Sequence, residues 1–201
     1  MSARTDTKDE LMEVATDLFA AHGFAGTSIR DIARAMNMSI SNIYHYFGNK
    51  EGLWLKILEY SVQKLPETLR EAIEQDAEPL EKLQVLVRTH LRSAEGHRRQ
   101  WRIFFVDEER LSAEGMERNR KLQREILDIY LDAIREVQNA GYARDCHPKV
   151  LAFNIIGMIN WYLRWFRRGG ELSEQEAYDE IIAFIMRGIG AGDAEIRSRE
   201  T

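Results

Sequence analysis

Leu11, Val14, Ala15, Leu18 and Phe19 recur at three- and four-residue spacing, while Asp9, Glu10, Glu13 and Asp17 take the other faces. That period predicts an amphipathic first helix, which Gly23 ends. A second helix is expected after Thr27 or Ser28, either of which can cap it, with Ile29, Ile32, Ala33 and Met36 turned inward and Asp31 at the positive end of its dipole. Asn37 falls where the chain must turn within about three residues, and asparagine tolerates a left-handed backbone better than other non-glycine residues. Ser39 then caps a short third helix through Ile43 and Tyr44, closed by Phe47, Gly48 and Asn49. Two short helices across a tight turn make a helix-turn-helix.

Beyond Lys50 the apolar runs lengthen. Leu53, Trp54, Ile57, Leu58 and Val62 mark a fourth helix. Pro66 and Pro79 sit near helix starts, where a missing N–H does no harm, and bracket a short helix with Leu69, Ala72 and Ile73. Another carries Leu80, Leu83, Val87, His90 and Leu91. An aromatic cluster of Trp101, Phe104 and Phe105 follows, then a long charged helix with Leu122, Ile126, Ile129, Tyr130, Ala133, Ile134 and Val137, stopped by Gly141. Pro148 opens the most apolar helix, expected to run to about Arg168 before Gly169 and Gly170; Ala177, Ile181, Phe184, Ile185 and Gly188 mark the last. The expected fold is all-α: a three-helix module over residues 1–50, a helical bundle over 51–192 and a loose charged tail over 193–201.

Composition agrees with that picture and narrows the chemistry. In 201 residues, 44% hydrophobic and 30% charged, there is apolar material for a real core, and three prolines are few for an all-β chain. The single cysteine, Cys146, excludes an intrachain disulfide framework and a multi-cysteine zinc cluster. Residues 1–10 are polar and charged, so no secretory leader is expected, and the apolar stretch over 150–166 is interrupted by Asn154, Asn160 and Arg164, so no membrane span is expected. A soluble, cytoplasmic protein follows as the expectation. His22, His45, His90, His97 and His147 lack the spacing of a helical metal pair, and no phosphate loop or nucleophile elbow appears. Neither a metal nor a cofactor is expected.

The run from Thr27 to Lys50, with Thr27-Ser28 before Ile32-Ala33, then Tyr44-His45-Tyr46-Phe47 and Asn49-Lys50, resembles the DNA-binding segment of the TetR family of bacterial repressors. Asn37 stands where that family usually has a glycine. The resemblance implies operator binding by a homodimer and a ligand-binding, dimerising bundle after the helix-turn-helix. The residues suit such a role: Ser39, Ser41, Asn42 and His45 offer small or polar groups to base edges, and Tyr44, Tyr46 and Lys50 offer donors to phosphate oxygens. Thr27, Ser28 and Arg30 complete the candidate DNA-binding set, and Arg34 is within reach.

Charge makes pairing necessary. The chain carries 28 Lys and Arg against 33 Asp and Glu, a net of −5. Within residues 1–50, Arg4, Lys8, Arg30, Arg34 and Lys50 face Asp6, Asp9, Glu10, Glu13, Asp17 and Asp31, so a single module has little net attraction for a phosphate backbone. Two modules on one duplex, about 34 to 36 Å apart, are expected. The last two helices offer more apolar surface than a small bundle can cover, and Phe153, Ile156, Leu163, Ile181, Ile185 and Ile189 are the candidate dimer residues.

Asn160, Trp161, Arg164, Trp165 and Arg168 interleave aromatics with forked cations, which suits an anionic ligand with an apolar part; Phe104, Phe105 and Tyr130 are candidate pocket walls. The same run is similar to that of family members tied to lipid or aromatic catabolism, which implies an effector of the acyl-CoA type. Two readings of it stand open, ligand pocket and dimer seam. Two other functions also stand beside the ligand-released repressor: a ligand-independent DNA-binding regulator or activator, and a helical-bundle enzyme with no nucleic-acid role, against which the missing catalytic motifs count.

Overall fold

The computed structural model of the chain describes residues 2–62, 64–99 and 112–190, and within them the chain forms nine helices and no strand. These are α1 (Ser2–Gly26), α2 (Ile29–Ala35), α3 (Ile40–Phe47), α4 (Lys50–Val62), α5 (Leu65–Ile73), α6 (Pro79–Gly96), α7 (Ala113–Asn139), α8 (Pro148–Trp165) and α9 (Glu174–Gly188). Contacts divide the chain into two compact units, Met1–Lys64 with His97–Lys121, and Leu65–Gly96 with Leu122–Thr201. The first unit therefore extends past the boundary expected at residue 50. The reason is packing: α4 buries Leu53, Trp54 and Ile57, and both α1 and α3 lie against it. Trp101, Phe104, Phe105 and the tail over 193–201 lie outside the described residues.

In the first unit α1 packs on α2 and α4, and α2 on α3. Leu11, Ala15 and Phe19 supply the buried face of α1, Ile29, Ile32 and Ala33 that of α2, and Ile43 that of α3. Each such aliphatic side chain contributes roughly 1.5 to 3 kcal/mol on full burial. Gly23 leaves helical geometry at φ 74°, as its position after the apolar stripe requires. Ser28 caps α2 through a reciprocal pair with Asp31, whose carboxyl is held below its usual range by the Ser28 hydroxyl and main-chain N–H. Asn37 adopts φ 49°, the left-handed turn expected of it, and Ser39 caps α3. Asn49 does the same for α4: its side-chain oxygen accepts from the Gly52 N–H at 2.7 Å.

In the second unit α6 is the central element, with α5, α8 and α9 all packed on it. Leu83, Leu86, Val87 and Leu91 meet a core that includes Ile155, Ile159, Tyr162, Tyr178 and Ile182. His90 lies fully inside, its Nδ1 3.0 Å from the Tyr130 hydroxyl. Burial pushes the His90 imidazole down from its ordinary 6.5 to about 4, and pushes the Tyr130 phenol up. The folded chain thus keeps His90 neutral where the unfolded chain would protonate it. Stability present above pH 6.5 is lost as pH falls toward 4, by about 2 kcal/mol at pH 5 from this group alone. Urea titrations at pH 7.5 and pH 5 are expected to report that loss in the wild-type chain, and a smaller one in His90→Gln. Equal losses in the two proteins would remove His90 as the cause.

α8 ends three residues earlier than expected. Phe166 turns extended at ψ 139°, and its buried ring stacks on Tyr162 with centroids 4.9 Å apart. Arg168 consequently leaves the helix and reaches back to Glu95, Nε to Oε1 at 2.9 Å, and to Glu174 at 3.5 Å.

Candidate functional site

α3 presents most of its surface to solvent. Ile43 is its one buried residue, whereas Ile40, Ser41, Asn42, Tyr44 and His45 are exposed and Tyr46 is half-buried. Eight residues span about 12 Å, a length that fits within a major groove about 12 Å wide. Arg30 is exposed on α2; Arg34, also exposed, lies 3.5 Å from Asp31. Ser28 and Ser39 spend their hydroxyls on the caps while remaining exposed.

Two residues expected to touch DNA are placed otherwise. Thr27 is only 2% exposed, and its hydroxyl lies 3.0 Å from the Gly23 carbonyl oxygen and 3.1 Å from that of Leu18. Lys50 is half-buried, and its ammonium donates to the carbonyl oxygens of Phe24 at 2.7 Å and Thr27 at 3.0 Å.

The second unit carries a groove of about 580 Å³ between α8 and α9, lined by Phe153, Asn154, Gly157, Met158, Trp161, Trp165, Glu180, Ile181 and Phe184. Phe153 is 54% exposed, Trp161 61%, Trp165 45% and Phe184 66%, a contiguous apolar face of the kind that marks a binding surface. A smaller hollow of about 330 Å³ adjoins it through Asn154, Met158 and Phe184, with Arg144 on its wall. Arg164, one turn from Trp161, is exposed and makes no ion pair among the described residues.

The structure thus brings together Trp161, Trp165, Phe153 and Ile181 from the two expected sets. Ile156 and Leu163 are half-buried, as is Asn160. Ile185 and Ile189 are 2% exposed and belong to the core, so they are corrected from dimer residues to internal ones that floor the smaller hollow. Tyr130 is likewise internal, bonded to His90. Arg168 is tied to Glu95, whose side chain is nearly inaccessible, so recruiting Arg168 to a ligand would first break this ion pair. The expectations for Phe104 and Phe105 fall outside the described residues. Phe184 and Met158 were missed. The signal for Phe184 was its position three residues after Ile181 and four before Gly188, a second apolar stripe on α9.

Among the described residues no group of His, Cys, Asp and Glu is arranged to hold a metal ion, and no helix is long and apolar enough to cross a membrane. A capped second helix, a left-handed turn and a short polar third helix on an all-α body define a helix-turn-helix DNA-binding regulator. Residues 11–57 match the bacterial regulatory proteins of the tetR family, and residues 76–189 match the tetracyclin repressor-like C-terminal domain. The chain belongs to the TetR family of transcriptional regulators.

Its relatives include transcriptional repressors. The HTH-type transcriptional repressor KstR2 of Mycobacterium tuberculosis is 29% identical over 187 residues, covering 90% of this chain and 92% of its own. The structure of that ketosteroid transcriptional regulator superposes with a TM-score of 0.84 at 26% identity, over 94% of this chain and 96% of its own. AibR, solved in complex with isovaleryl coenzyme A and operator DNA, superposes with a TM-score of 0.81 at 25% identity, over 89% of this chain and 97% of its own. The chain is accordingly a regulator and no enzyme.

Proposed function

We propose that this regulator is a homodimeric repressor that reads a two-fold operator with α3 and is released by an apolar or acyl-CoA-type effector held at the groove between α8 and α9. The observation that carries the reading is the exposed row of Phe153, Trp161, Trp165 and Phe184 beside the exposed Arg164, which makes no ion pair among the described residues. Indole rings stack on flat heterocycles or line an acyl chain, and a forked guanidinium donates to a phosphate or carboxylate. The complex of AibR with a coenzyme A thioester and operator DNA supports that ligand class. On the DNA side Ser41, Asn42 and His45 face base edges, while Tyr44, Tyr46 and Arg30 meet phosphates. Ser28 and Ser39 act as caps that aim these helices.

The same row supports dimerisation. A face this apolar on a two-helix edge is self-complementary by a two-fold axis, which buries one copy of Phe184 and Trp161 against the other. Pocket and seam are then one surface, with the effector bound where the protomers meet. Release needs no chemistry; the effector has only to bind the DNA-incompetent arrangement more tightly.

Fluorescence anisotropy on a labelled fragment of the gene's own upstream DNA, titrated with isovaleryl-CoA and longer acyl-CoA thioesters, tests this reading. Trp161→Ala and Arg164→Ala are expected to raise the effector concentration for half-release at least about tenfold, the loss of one stacking or charge-assisted contact; Arg164→Ala keeps the operator affinity of the effector-free protein, whereas Trp161→Ala, at the seam, lowers it. Release of the variants at the wild-type concentration would exclude the groove. No release of the wild-type protein by any thioester would favour a ligand-independent regulator.

A further inference from the structure

Lys50 opens α4, yet its ammonium points back into its own unit. It donates to the main-chain oxygens of Phe24 at 2.7 Å and Thr27 at 3.0 Å and sits 4.2 Å from the centroid of the Phe24 ring. Both carbonyls belong to the corner between α1 and α2, where Gly23 departs from helical geometry at φ 74°, and the last carbonyls of a helix have no intrahelical donor. The buried hydroxyl of Thr27 serves the same corner, lying 3.0 Å from the Gly23 oxygen and 3.1 Å from that of Leu18. A cation at the negative end of α1 is electrostatically well placed, and hydrogen bonds from a charged donor are about twice as strong as neutral ones.

We infer that Lys50 is a positioning residue of the DNA-reading module, pinning the corner from which α2 and then α3 depart to the start of α4, and that it is not a phosphate contact. Two of its three N–H donors are engaged inside the protein, and the ammonium lies over the Phe24 ring. The pin crosses 23 and 26 residues of sequence, so it fixes the direction of the helix pair against α4, as no local turn does. Thr27 completes it from the buried side. Loss of the pin misaims α3 and therefore removes specific binding selectively, because non-specific binding rests on backbone charge and tolerates misalignment.

The test measures Lys50→Met and Thr27→Val in the full chain. Affinities for an operator fragment and for a scrambled duplex are taken over a series of KCl concentrations, below the melting temperature found by circular dichroism. Lys50→Met keeps the apolar stem over Phe24 and removes only the head. Both variants are expected to lower the operator-to-scrambled ratio at least about tenfold while the salt dependence stays that of the wild type. A phosphate contact predicts instead a uniform loss on both duplexes, a slope reduced by about 0.9 per protomer in Lys50→Met, and a silent Thr27→Val. That pattern would overturn the inference. So would wild-type ratios in both variants once they are measured fully folded, which would make the corner merely stabilising. Should Lys50→Met fail to fold, the ratio in Thr27→Val decides alone.

Discussion

Gly52→Ala is expected to lower the melting temperature by about 4 to 8 °C and to abolish operator binding at temperatures where the wild-type chain is fully bound. Two effects oppose each other. Alanine in a helix is favoured over glycine by about 1 kcal/mol, so propensity alone predicts a more stable protein. Position 52, in the first turn of α4, is different because the Phe47 carbonyl oxygen at the end of α3 occupies the place where a Cβ would go. That obstacle is main chain and cannot swing aside as a flexible side chain would. Overpacking of this kind costs on the order of 3 kcal/mol, which outweighs the propensity gain, and in a chain of this length each kcal/mol moves the melting point by roughly 2 to 4 °C. The displaced element is α3 itself, so DNA reading suffers beyond the stability loss. Differential scanning calorimetry together with operator anisotropy checks both parts; a melting point at or above that of the wild type would refute the close approach.

Phe184→Asp is expected to weaken the proposed dimer by more than about four orders of magnitude while leaving each protomer folded. The ring is 66% exposed in the single chain, so the protomer loses little by its removal. In a two-fold dimer each substitution acts twice. Each copy forfeits roughly 2 kcal/mol of apolar burial and adds a carboxylate whose desolvation costs several kcal/mol more, against 1.4 kcal/mol per tenfold in affinity. Sedimentation velocity across a concentration series measures the shift, and far-ultraviolet circular dichroism confirms the fold. Dimers of wild-type strength in Phe184→Asp would place the seam elsewhere. Operator affinity should fall with the dimer, because the near-neutral single module binds phosphate weakly.

What the sequence made legible was whatever depends on neighbours a few residues away. The apolar period of α1, the caps at Ser28 and Ser39, the left-handed turn at Asn37 and the helix stops at Gly23 and Gly141 are local and were expected from the residues. The exposed polar face of α3 followed from Ser41, Asn42 and His45 standing around Ile43. Long-range choices were not legible. α9 carries two apolar stripes, and only packing decides that Ile185 and Ile189 turn inward while Phe184 stays out. On α8, Tyr162 is buried and its neighbour Trp161 exposed, although composition treats both as core aromatics. Lys50 shows the same limit more sharply: a lysine at the end of a DNA-binding motif reads as a phosphate ligand until the carbonyls 23 and 26 residues before it come into reach. Arg168 reads as a ligand cation in its own segment, where nothing reveals Glu95, 73 residues earlier.

The central claim is that two α3 helices of one dimer read a single duplex and let go when the groove on α8 and α9 is filled. The most direct measurement is the mass of the protein–operator complex by sedimentation velocity or native mass spectrometry, with and without added acyl-CoA thioester. Two chains on one duplex without thioester, and free DNA beside a thioester-loaded dimer with it, is the predicted result. One chain per duplex, or no complex on operator DNA that scrambled DNA does not also form, would contradict it.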